Sequence, residues 1–470
     1  MILGVASMGA GLSTASCTDS DAPSADAGVR DATIKDAPTI TEPRDALPPL
    51  APDAMLEGSY CALPGSLVAT AQGMAIVAGG DPSAPNLSWL TVPPGFCAHH
   101  FANIAETRQL RVSPSGDVFA SSPSAPTAGS ENKTGQGAIV VLPDDDHDGV
   151  ADSTLTFIGN LAQTQGLTFA AGYVYFQDGT SLKRVAFKSG DRAPSAAIET
   201  VTTISPSEAQ QFPVHWPKLV DVAKDGTVYF TNGSDQGESC YSPQQTASMP
   251  PTGSVFKVAP NGTISLVAKG FRNPIALRCE ANANVCLVAE LARDGSGASG
   301  GREKIVPLRQ GDDWGFPCCA TKNLPYESEE YQDNGHVLAP SDCASVTPED
   351  VSFEIGHTPF GIDFEAAGWP APWGARAFVA LHGVVGSFVG SRVVGIALDP
   401  LTGLPLPSSD LDGGASGAPN MMAFVTGWDD GTLTHGRATA ITFGGDGRMY
   451  VGDDTRGEIF WVAPVGLLRP

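Results

Sequence analysis

GFRNPIALRCEANANVCLVAE (residues 270–290) and GDDWGFPCC (residues 311–319) are the two strings of this sequence that most directly indicate its fold. Two apolar runs, IALRC and VCLVAEL, are joined by the turn-forming string EANAN, and this pattern predicts a β-hairpin. A Gly/Ser loop, the run GREKIVPL and the terminator GDDWGFP follow the hairpin. The whole segment therefore predicts one antiparallel blade of a larger β structure.

Arg272 and Asn273 stand side by side where the first strand of that blade begins. A guanidinium group binds a carboxylate through two parallel hydrogen bonds and stays charged at any relevant pH. We therefore predict that the pair binds a carboxylate-bearing ligand. The alternative is that both side chains only cap the blade by satisfying backbone carbonyl groups.

The pattern of apolar strand, glycine turn and second strand recurs in six segments of the chain. Asp-Gly between alternating apolar runs is a strong hairpin signal, and 54 Gly, 38 Pro and few aromatic residues favour turns and short strands over long helices. The six copies are RQLRVSPSGDVFAS (108–121), GLTFAAGYVYFQDG (166–179), LVDVAKDGTVYFTNG (219–233), IALRCEANANVCLVAE (275–290), FGIDFEAAGWPAPWGARAFVAL (360–381) and TAITFGGDGRMYVGDD (439–454). They predict an all-β fold, a six-bladed β-propeller, with a β-sandwich as the rival.

The N-terminal part of the chain predicts export. Residues 1–17 form a run of apolar and small residues that ends at Cys17, similar to an export signal with a lipoprotein cysteine; an ordinary cleaved signal is the alternative. Residues 18–57 are rich in Asp, Ala and Pro and have little apolar surface to bury, which predicts a disordered tether. The propeller is assigned to residues 58–470. We expect a bacterial cell-envelope protein, periplasmic or on the surface, that contacts the membrane only through a lipid anchor.

Charge and cysteine content restrict the partners and the compartment. The chain has 51 acidic and 27 basic residues, a net charge of −24, which disfavours nucleic acid and anionic lipid as partners. Eight cysteines remain besides Cys17, and an even number in an exported chain predicts disulfides. We expect Cys279 to pair with Cys286 across the hairpin turn, and Cys318 or Cys319 to pair with Cys343. A zinc site is the weaker alternative, because the sequence has no Cys-x-x-Cys pair.

The string DDDHDGVAD (144–152) resembles the first part of a calcium-binding loop. Its Asp residues occupy ligand positions 1, 3, 5 and 9, and its Gly occupies position 6, where the loop turns sharply. Leu155 at position 12 replaces the usual bidentate Glu, so we expect a lower affinity. The predicted ligands are Asp144, Asp146, Asp148, Val150 and Asp152. The alternative is a solvated acidic turn.

Over residues 88–463 the sequence resembles the glucose/sorbosone dehydrogenase family of quinoproteins. The GFRNP turn and the GDDWGFP terminator carry much of the resemblance, together with FPVHWPKLVDVAKDGTVYFTNGS (212–234), HTPFGIDF (357–364), ALHG (380–383) and GRATAITFGGDGRMYVGDD (436–454). The resemblance implies a six-bladed propeller that oxidises a sugar or alcohol by hydride transfer to pyrroloquinoline quinone.

The resemblance also implies roles for particular residues. His215 would take the proton of the substrate hydroxyl group, and a calcium ion near the quinone would polarise a quinone carbonyl. The carboxylates of the quinone would be bound by Arg272, Asn273 and Arg437, with Lys218 as a further helper. Electrons would leave through a separate acceptor, because the sequence contains no Cys-x-x-Cys-His haem motif.

Two other functions stay open at the level of sequence. One is a non-catalytic surface propeller that binds carbohydrate or protein, because the neighbourhood of His215 reads PVHWP and the last turn reads GRATA, both divergent from the family pattern. The other is a calcium-dependent hydrolase of the lactonase type. Glu290 and Asn232 would be candidate metal ligands for that reaction.

Overall fold

The computed structural model describes residues 49–51, 56–85, 87–123, 137–204, 215, 218–234, 252–293, 295–326, 338–365, 367–384, 389–409, 420–429 and 435–470. The predicted signal, Cys17 and nearly all of the predicted tether lie outside these residues, as does Cys240. Within the described residues, helical structure is confined to short 3₁₀ turns at Tyr60–Ala62, Ser296–Ser299 and Pro340–Cys343. None of the helices described is long and apolar enough to cross a membrane.

The first half of the chain supplies sixteen strands. Four N-terminal strands come first: β1 (Pro49–Leu50), β2 (Leu67–Thr70), β3 (Gly73–Val77) and β4 (Phe96–Asn103). The first four-stranded sheet is β5 (Gln109–Val112), β6 (Val118–Ser122), β7 (Gly137–Leu142) and β8 (Leu155–Leu161). The second is β9 (Leu167–Ala170), β10 (Tyr173–Asp178), β11 (Ser181–Ala186) and β12 (Glu199–Thr203). The third is β13 (Val220–Val222), β14 (Val228–Asn232), β15 (Ser254–Val258) and β16 (Ile264–Lys269).

The second half completes the remaining sheets. The fourth sheet begins with β17 (Asn273–Cys279), β18 (Cys286–Leu291) and β19 (Glu303–Pro307) and continues, after a small hairpin of β20 (Cys319–Thr321) and β21 (Leu324–Pro325), with β22 (Val351–Phe353). The fifth is β23 (Pro359–Phe364), β24 (Arg376–Leu381), β25 (Arg392–Ala397) and β27 (Met421–Val425). Between them, β26 (Ser408–Ser409) pairs in parallel with β22. The last strands are β28 (Ala438–Phe443), β29 (Met449–Asp453) and β30 (Glu458–Pro464).

The sheets form a closed ring, because the first strands of successive sheets contact each other in the order β5, β9, β13, β17, β23, β28 and back to β5. Such a radial arrangement of antiparallel sheets is a β-propeller. All six hairpins predicted from the sequence are present as antiparallel pairs at the start of a sheet. The prediction of an all-β propeller is confirmed.

The predicted count of six blades is corrected to five blades and one larger, composite sheet. Five sheets are blades of four or five strands, whereas the sheet that completes the ring has seven strands in the order β1-β3-β2-β4-β30-β29-β28. In this composite sheet β30 pairs antiparallel with β4, so the two ends of the chain close the ring. The repeat could not reveal this, because β1 to β4 carry no copy of it.

The six first strands run in the same direction. Equivalent positions along them contact each other across the ring: Thr168 Oγ1 bonds Asp221 Oδ1 (2.7 Å), Cys279 N bonds Asp221 Oδ2 (2.9 Å), Arg278 Nε bonds Asp363 Oδ1 (2.6 Å) and Phe443 N bonds Asp363 Oδ2 (2.9 Å). The residues that immediately precede the six strands therefore share the opposite face of the ring. We call this the upper face.

Three disulfides are present among the described residues. Cys279–Cys286 closes the hairpin as predicted, and Cys319 is the partner of Cys343, which resolves the alternative left open by the sequence. Cys61–Cys97 ties the first 3₁₀ turn to β4. A disulfide stabilises mainly by restricting the unfolded chain, typically by about 2–4 kcal/mol. These bonds therefore stabilise the hairpin of the fourth sheet and the closing sheet.

Candidate functional site

The turn before β17 is held by the terminator of its own blade. Gly270 has φ +81°, and a Cβ atom there would lie 2.5 Å from both Asp313 Oδ1 and the backbone nitrogen of Gly315, so only glycine fits. The backbone N–H of Trp314 donates to the carbonyl of Lys269 (3.0 Å), and that of Phe316 donates to the carbonyl of Gly270 (2.9 Å). The strings GFRNP and GDDWGFP thus fold together and fix the start of β17 at the upper face.

Arg272 is buried and its backbone is held on both sides. Its N–H donates to Glu290 Oε1 (2.9 Å), its carbonyl accepts from Ser234 N (2.7 Å), and its guanidinium donates to the carbonyl of Ala292 (2.9 Å). Burial raises the pKa of Glu290, and Lys304 lies 3.6 Å from its second oxygen. The position of Arg272 is therefore fixed by the neighbouring strands β14 and β18.

His215 lies beside two cations. Its Nδ1 donates to the carbonyl of Ser234 (2.8 Å), because a carbonyl oxygen only accepts, and Nε2 is therefore the basic nitrogen of the neutral ring. Burial, followed by the positive charges of Arg272 and Lys218, lowers the pKa of His215 well below its usual value of 6.5. The imidazole is consequently neutral at pH 7. Gly233 permits this packing, since a Cβ there would lie 2.4 Å from the carbonyl oxygen of His215.

Lys218 connects this histidine to the predicted carboxylate-binding pair, Arg272 and Asn273. Its Nζ donates to Asn273 Oδ1 (3.0 Å), and both side chains are buried. Four of the residues predicted from the sequence are therefore brought together at the upper face: His215, Lys218, Arg272 and Asn273. We call them the His215 cluster.

Arg437, the remaining predicted cofactor residue, also lies at the upper face but in a second cluster built around Asp454. Arg437 Nε donates to Asp454 Oδ1 (2.8 Å), Arg108 lies 2.9 Å from Oδ2, and His382 Nε2 lies 3.2 Å from both oxygens. Burial opposes ionisation of Asp454, but the charges of Arg437, His382 and Arg108 hold its pKa well below its usual range. We call these four residues the Asp454 cluster.

The backbone of Arg437 is fixed by Asp453, the residue before Asp454 in the chain. Asp453 Oδ2 accepts from Arg437 N (2.9 Å) and from Trp428 Nε1 (2.9 Å), and Oδ1 accepts from the N–H groups of Thr455 and Arg456. Burial, together with the charges of neighbouring acidic groups, raises the pKa of Asp453 to about 7. Arg437 is thus oriented through both its side chain and its main chain.

Three residues of the Asp454 cluster were not predicted from the sequence: Arg108, His382 and Asp454. The six repeats carry a signal for the first of these. Arg108 immediately precedes β5, just as Arg437 immediately precedes β28, and Arg272 and Lys218 occupy similar positions before β17 and β13. No comparable signal marks His382 or Asp454, which follow the second strand of their sheets and meet only through the closure of the ring.

The acidic loop joins β7 to β8 and brings together three of its five predicted ligands. Carboxylate oxygens of Asp144, Asp146 and Asp148 lie within 4.8 Å of one another. Asp152 instead accepts a hydrogen bond from the backbone of Asp145 (2.6 Å). Arg448 lies 2.9 Å from Asp144 and would compete with a cation for that carboxylate. For Val150 the described contact is its N–H, which donates to Asp148 Oδ1 (2.8 Å).

The fold is shared with solved structures of sugar dehydrogenases, whereas no family model and no curated protein matches the sequence. The holo form of the pyranose dehydrogenase PQQ domain from Coprinopsis cinerea is 16% identical with a TM-score of 0.61, over 81% of this chain and 99% of that one. The calcium structure of a Trichoderma reesei carbohydrate-active enzyme of family AA12 is 15% identical with a TM-score of 0.59, over 80% and 97%. The PQQ-bound form of an aldose sugar dehydrogenase from Streptomyces coelicolor is 15% identical with a TM-score of 0.50, over 79% and 99%.

Proposed function

We propose that this chain is a quinoprotein oxidoreductase that oxidises a sugar or alcohol with pyrroloquinoline quinone as its cofactor. The observation that carries the proposal is the His215 cluster, in which a neutral imidazole lies beside two buried cations at the upper face. The named cofactor of two structural relatives supports the choice of quinone.

The residues present fit an anionic cofactor. Pyrroloquinoline quinone carries three carboxylates, and a chain of net charge −24 must provide local positive charge to bind it. Burial, followed by the charges of Arg272 and Lys218, lowers the pKa of His215, so both cations act at the position of the imidazole. Arg437 and Arg108 add two cations against the single carboxylate of Asp454.

The roles follow from these positions. When bound, the quinone would supply the two-electron oxidant for removal of a hydride from the carbinol carbon of the substrate. His215 Nε2 would take the hydroxyl proton, which requires the neutral ring. Arg272, Lys218 and Arg437 would bind carboxylates, and Asn273 orients Lys218 through their hydrogen bond. A separate electron acceptor would be needed to complete the turnover.

Calcium is proposed as a second bound group, in the loop that contains Asp144, Asp146 and Asp148. These three form the one group of three or more candidate ligands found in the part of the chain that the structure describes. A calcium ion there would be structural, since the loop joins two strands of the first blade. The Trichoderma reesei relative, whose structure is a calcium structure, supports the choice of this ion.

We also propose that the chain is exported and anchored to the cell envelope through Cys17. Three disulfides in the described residues support an oxidising compartment.

One observation favours the non-catalytic alternative. His215 is only 1% exposed and Arg272 only 3%, so in this conformation a substrate hydroxyl group would not reach the imidazole. Such a propeller would bind carbohydrate or protein without oxidising it. The lactonase alternative has less support, because Glu290 is engaged by Arg272 N and by Lys304.

The test is a titration of purified apo-protein with the quinone in excess calcium, followed by absorbance and calorimetry. Wild type should bind in the micromolar range or tighter. Arg272→Ala removes charge-assisted hydrogen bonds worth about 1.5–3 kcal/mol, so its quinone affinity should fall roughly 10- to 150-fold. Arg272→Lys should regain only part of that affinity, because an ammonium group is a point charge and does not reproduce the two parallel hydrogen bonds of the planar guanidinium.

His215→Ala should behave in the opposite way. Quinone affinity should stay within about threefold of wild type, whereas turnover in a dye-reduction assay over aldoses and alcohols should fall roughly 10²–10⁴-fold. Arg184→Ala, on an outer strand where Arg184 pairs with Glu199, serves as the control and should change neither quantity. No detectable quinone binding at tens of micromolar would refute the oxidoreductase and favour the binding propeller.

A further inference from the structure

A small cavity lies among the first strands of the ring, beneath the upper face. Its lining includes residues from or next to all six first strands, among them Arg108, Gln109, Arg111 and Gln165. It has room for about one water molecule. The charged residues that line it are both arginines. The buried carboxylates Asp221 and Asp363 are not among the described residues of the lining.

Arg111 is a buried cation whose guanidinium group is only partly hydrogen-bonded. Its NH1 donates to the carbonyl of Leu110 (3.0 Å), but its NH2 lies 3.8 Å from Asp221 Oδ2, beyond hydrogen-bond distance. Nε and NH2 have no hydrogen-bond partner among the residues that the structure describes. Burial, followed by the charge of Arg278, lowers the pKa of Arg111 to about 10.

The neighbouring carboxylates do not accept hydrogen bonds from Nε and NH2 of Arg111, because other donors contact their oxygens. Asp221 accepts from Thr168, Arg278 and the backbone of Cys279. Asp363 accepts from Arg278 and from the backbone of Phe443. A charged donor left without an acceptor in the interior is costly, so an acceptor that enters the cavity would be bound favourably.

We propose that this cavity binds one small monovalent anion, such as chloride, through Arg111. An anion only accepts hydrogen bonds and therefore suits the two unpartnered nitrogens of Arg111, whereas a water molecule also needs acceptors for its own protons. The narrow cavity excludes larger anions such as sulfate and the carboxylates of a quinone. The site is distinct from the His215 cluster, and the proposal does not depend on the proposed function.

The first test measures thermal stability as a function of anion. Protein dialysed into sodium gluconate should show a saturable rise in Tm of a few degrees when chloride or bromide replaces gluconate at constant ionic strength, because a ligand that binds only the folded state stabilises it. Sulfate should produce no saturable rise. Arg111→Met should abolish the halide response, and Arg184→Met, on an outer strand, should retain it.

The second test needs no variant. Crystals of the wild-type protein soaked in bromide should show an anomalous peak inside the cavity, within about 3.5 Å of the Arg111 guanidinium. Electron density without anomalous signal in the cavity would show that it holds water, and the proposal would be wrong. Bromide peaks confined to the protein surface, or a halide response unchanged in Arg111→Met, would also overturn it.

Discussion

Replacing Asp454 by Asn should destabilise the protein more than most single substitutions would. The carboxylate of Asp454 is buried and contacts Arg437 (2.8 Å), Arg108 (2.9 Å) and His382 (3.2 Å). The amide keeps one acceptor oxygen but removes the charge, so two buried guanidinium groups lose their shared counter-ion. Breaking a buried ion pair by removing one partner costs about 3–5 kcal/mol, and we expect a loss in that range.

The assay is urea denaturation at pH 7, where a lower midpoint with an unchanged m-value reports lost stability. Asp225→Asn is the matched control. Asp225 is exposed in the Asp-Gly turn between β13 and β14, where Asn is equally suitable, so the urea midpoint should not change measurably.

The pH dependence of the free energy of unfolding provides an independent check that ionised Asp454 stabilises the folded protein. The folded-state pKa of Asp454 lies well below 3.8, so its ionised form stabilises the protein above pH 3.8, and this contribution is lost as the pH falls further towards the folded-state pKa. The difference between wild type and Asp454→Asn should therefore shrink as the pH falls below 3.8. A loss below about 1 kcal/mol at pH 7, or a difference that grows as the pH falls below 3.8, would refute the reasoning.

Three further predictions concern the acidic loop, the histidine and the anchor. Excess calcium should raise Tm relative to chelator-treated protein, and the double variant Asp146→Ala, Asp148→Ala should show a smaller rise. The control Asp145→Asn, in the same loop at a residue paired with Arg192, should retain the rise. An undiminished rise in the double variant would exclude this loop as the calcium site. In the quinone-loaded enzyme the acidic limb of kcat/KM against pH should lie below 6.5, and Lys218→Met should move it upward because a cation that lowers the pKa of His215 is removed; an unmoved limb would contradict the assignment of the base. Cys17→Ala should release the protein from membranes into the soluble fraction, and an unchanged fractionation would exclude the lipid anchor.

The hairpins could be predicted because their signals are local. Alternating apolar residues around an Asp-Gly or similar turn specify two adjacent strands within segments of 14 to 22 residues, and all six predicted copies form such pairs. The closing sheet could not be predicted in the same way. Its central pairing joins β4 to β30 across nearly the whole chain, and neither strand belongs to a repeat. Six repeats therefore indicated six blades, whereas the structure has five blades and one composite sheet formed by both chain ends.

The residues of the candidate site also fall into two groups, those named from the sequence and those that meet only when the ring closes. The resemblance placed His215, Lys218, Arg272 and Asn273 in one site, and the contact between Lys218 and Asn273 agrees with that grouping. Arg437, which the resemblance implies as a further cofactor residue, contacts Asp454, whose other partners come from distant parts of the chain. Only the closure of the ring brings Arg108, His382 and Arg437 to one carboxylate.

The two clusters supply cations from separate blades, and this arrangement bears on the proposed ligand. Burial opposes ionisation of Asp454, but the charges of Arg437, His382 and Arg108 keep its pKa low, so the carboxylate stays ionised. Lys218 donates to Asn273 and the Arg272 guanidinium donates to the carbonyl of Ala292, and after burial the charges of both cations lower the pKa of His215. In the proposed function an anionic ligand would contact the cations beside His215, and Arg437, oriented by Asp454 and Asp453, would contact the same ligand from another blade. A trianion bound across both clusters would oppose the net charge of −24 with local positive charge from separate blades of the ring.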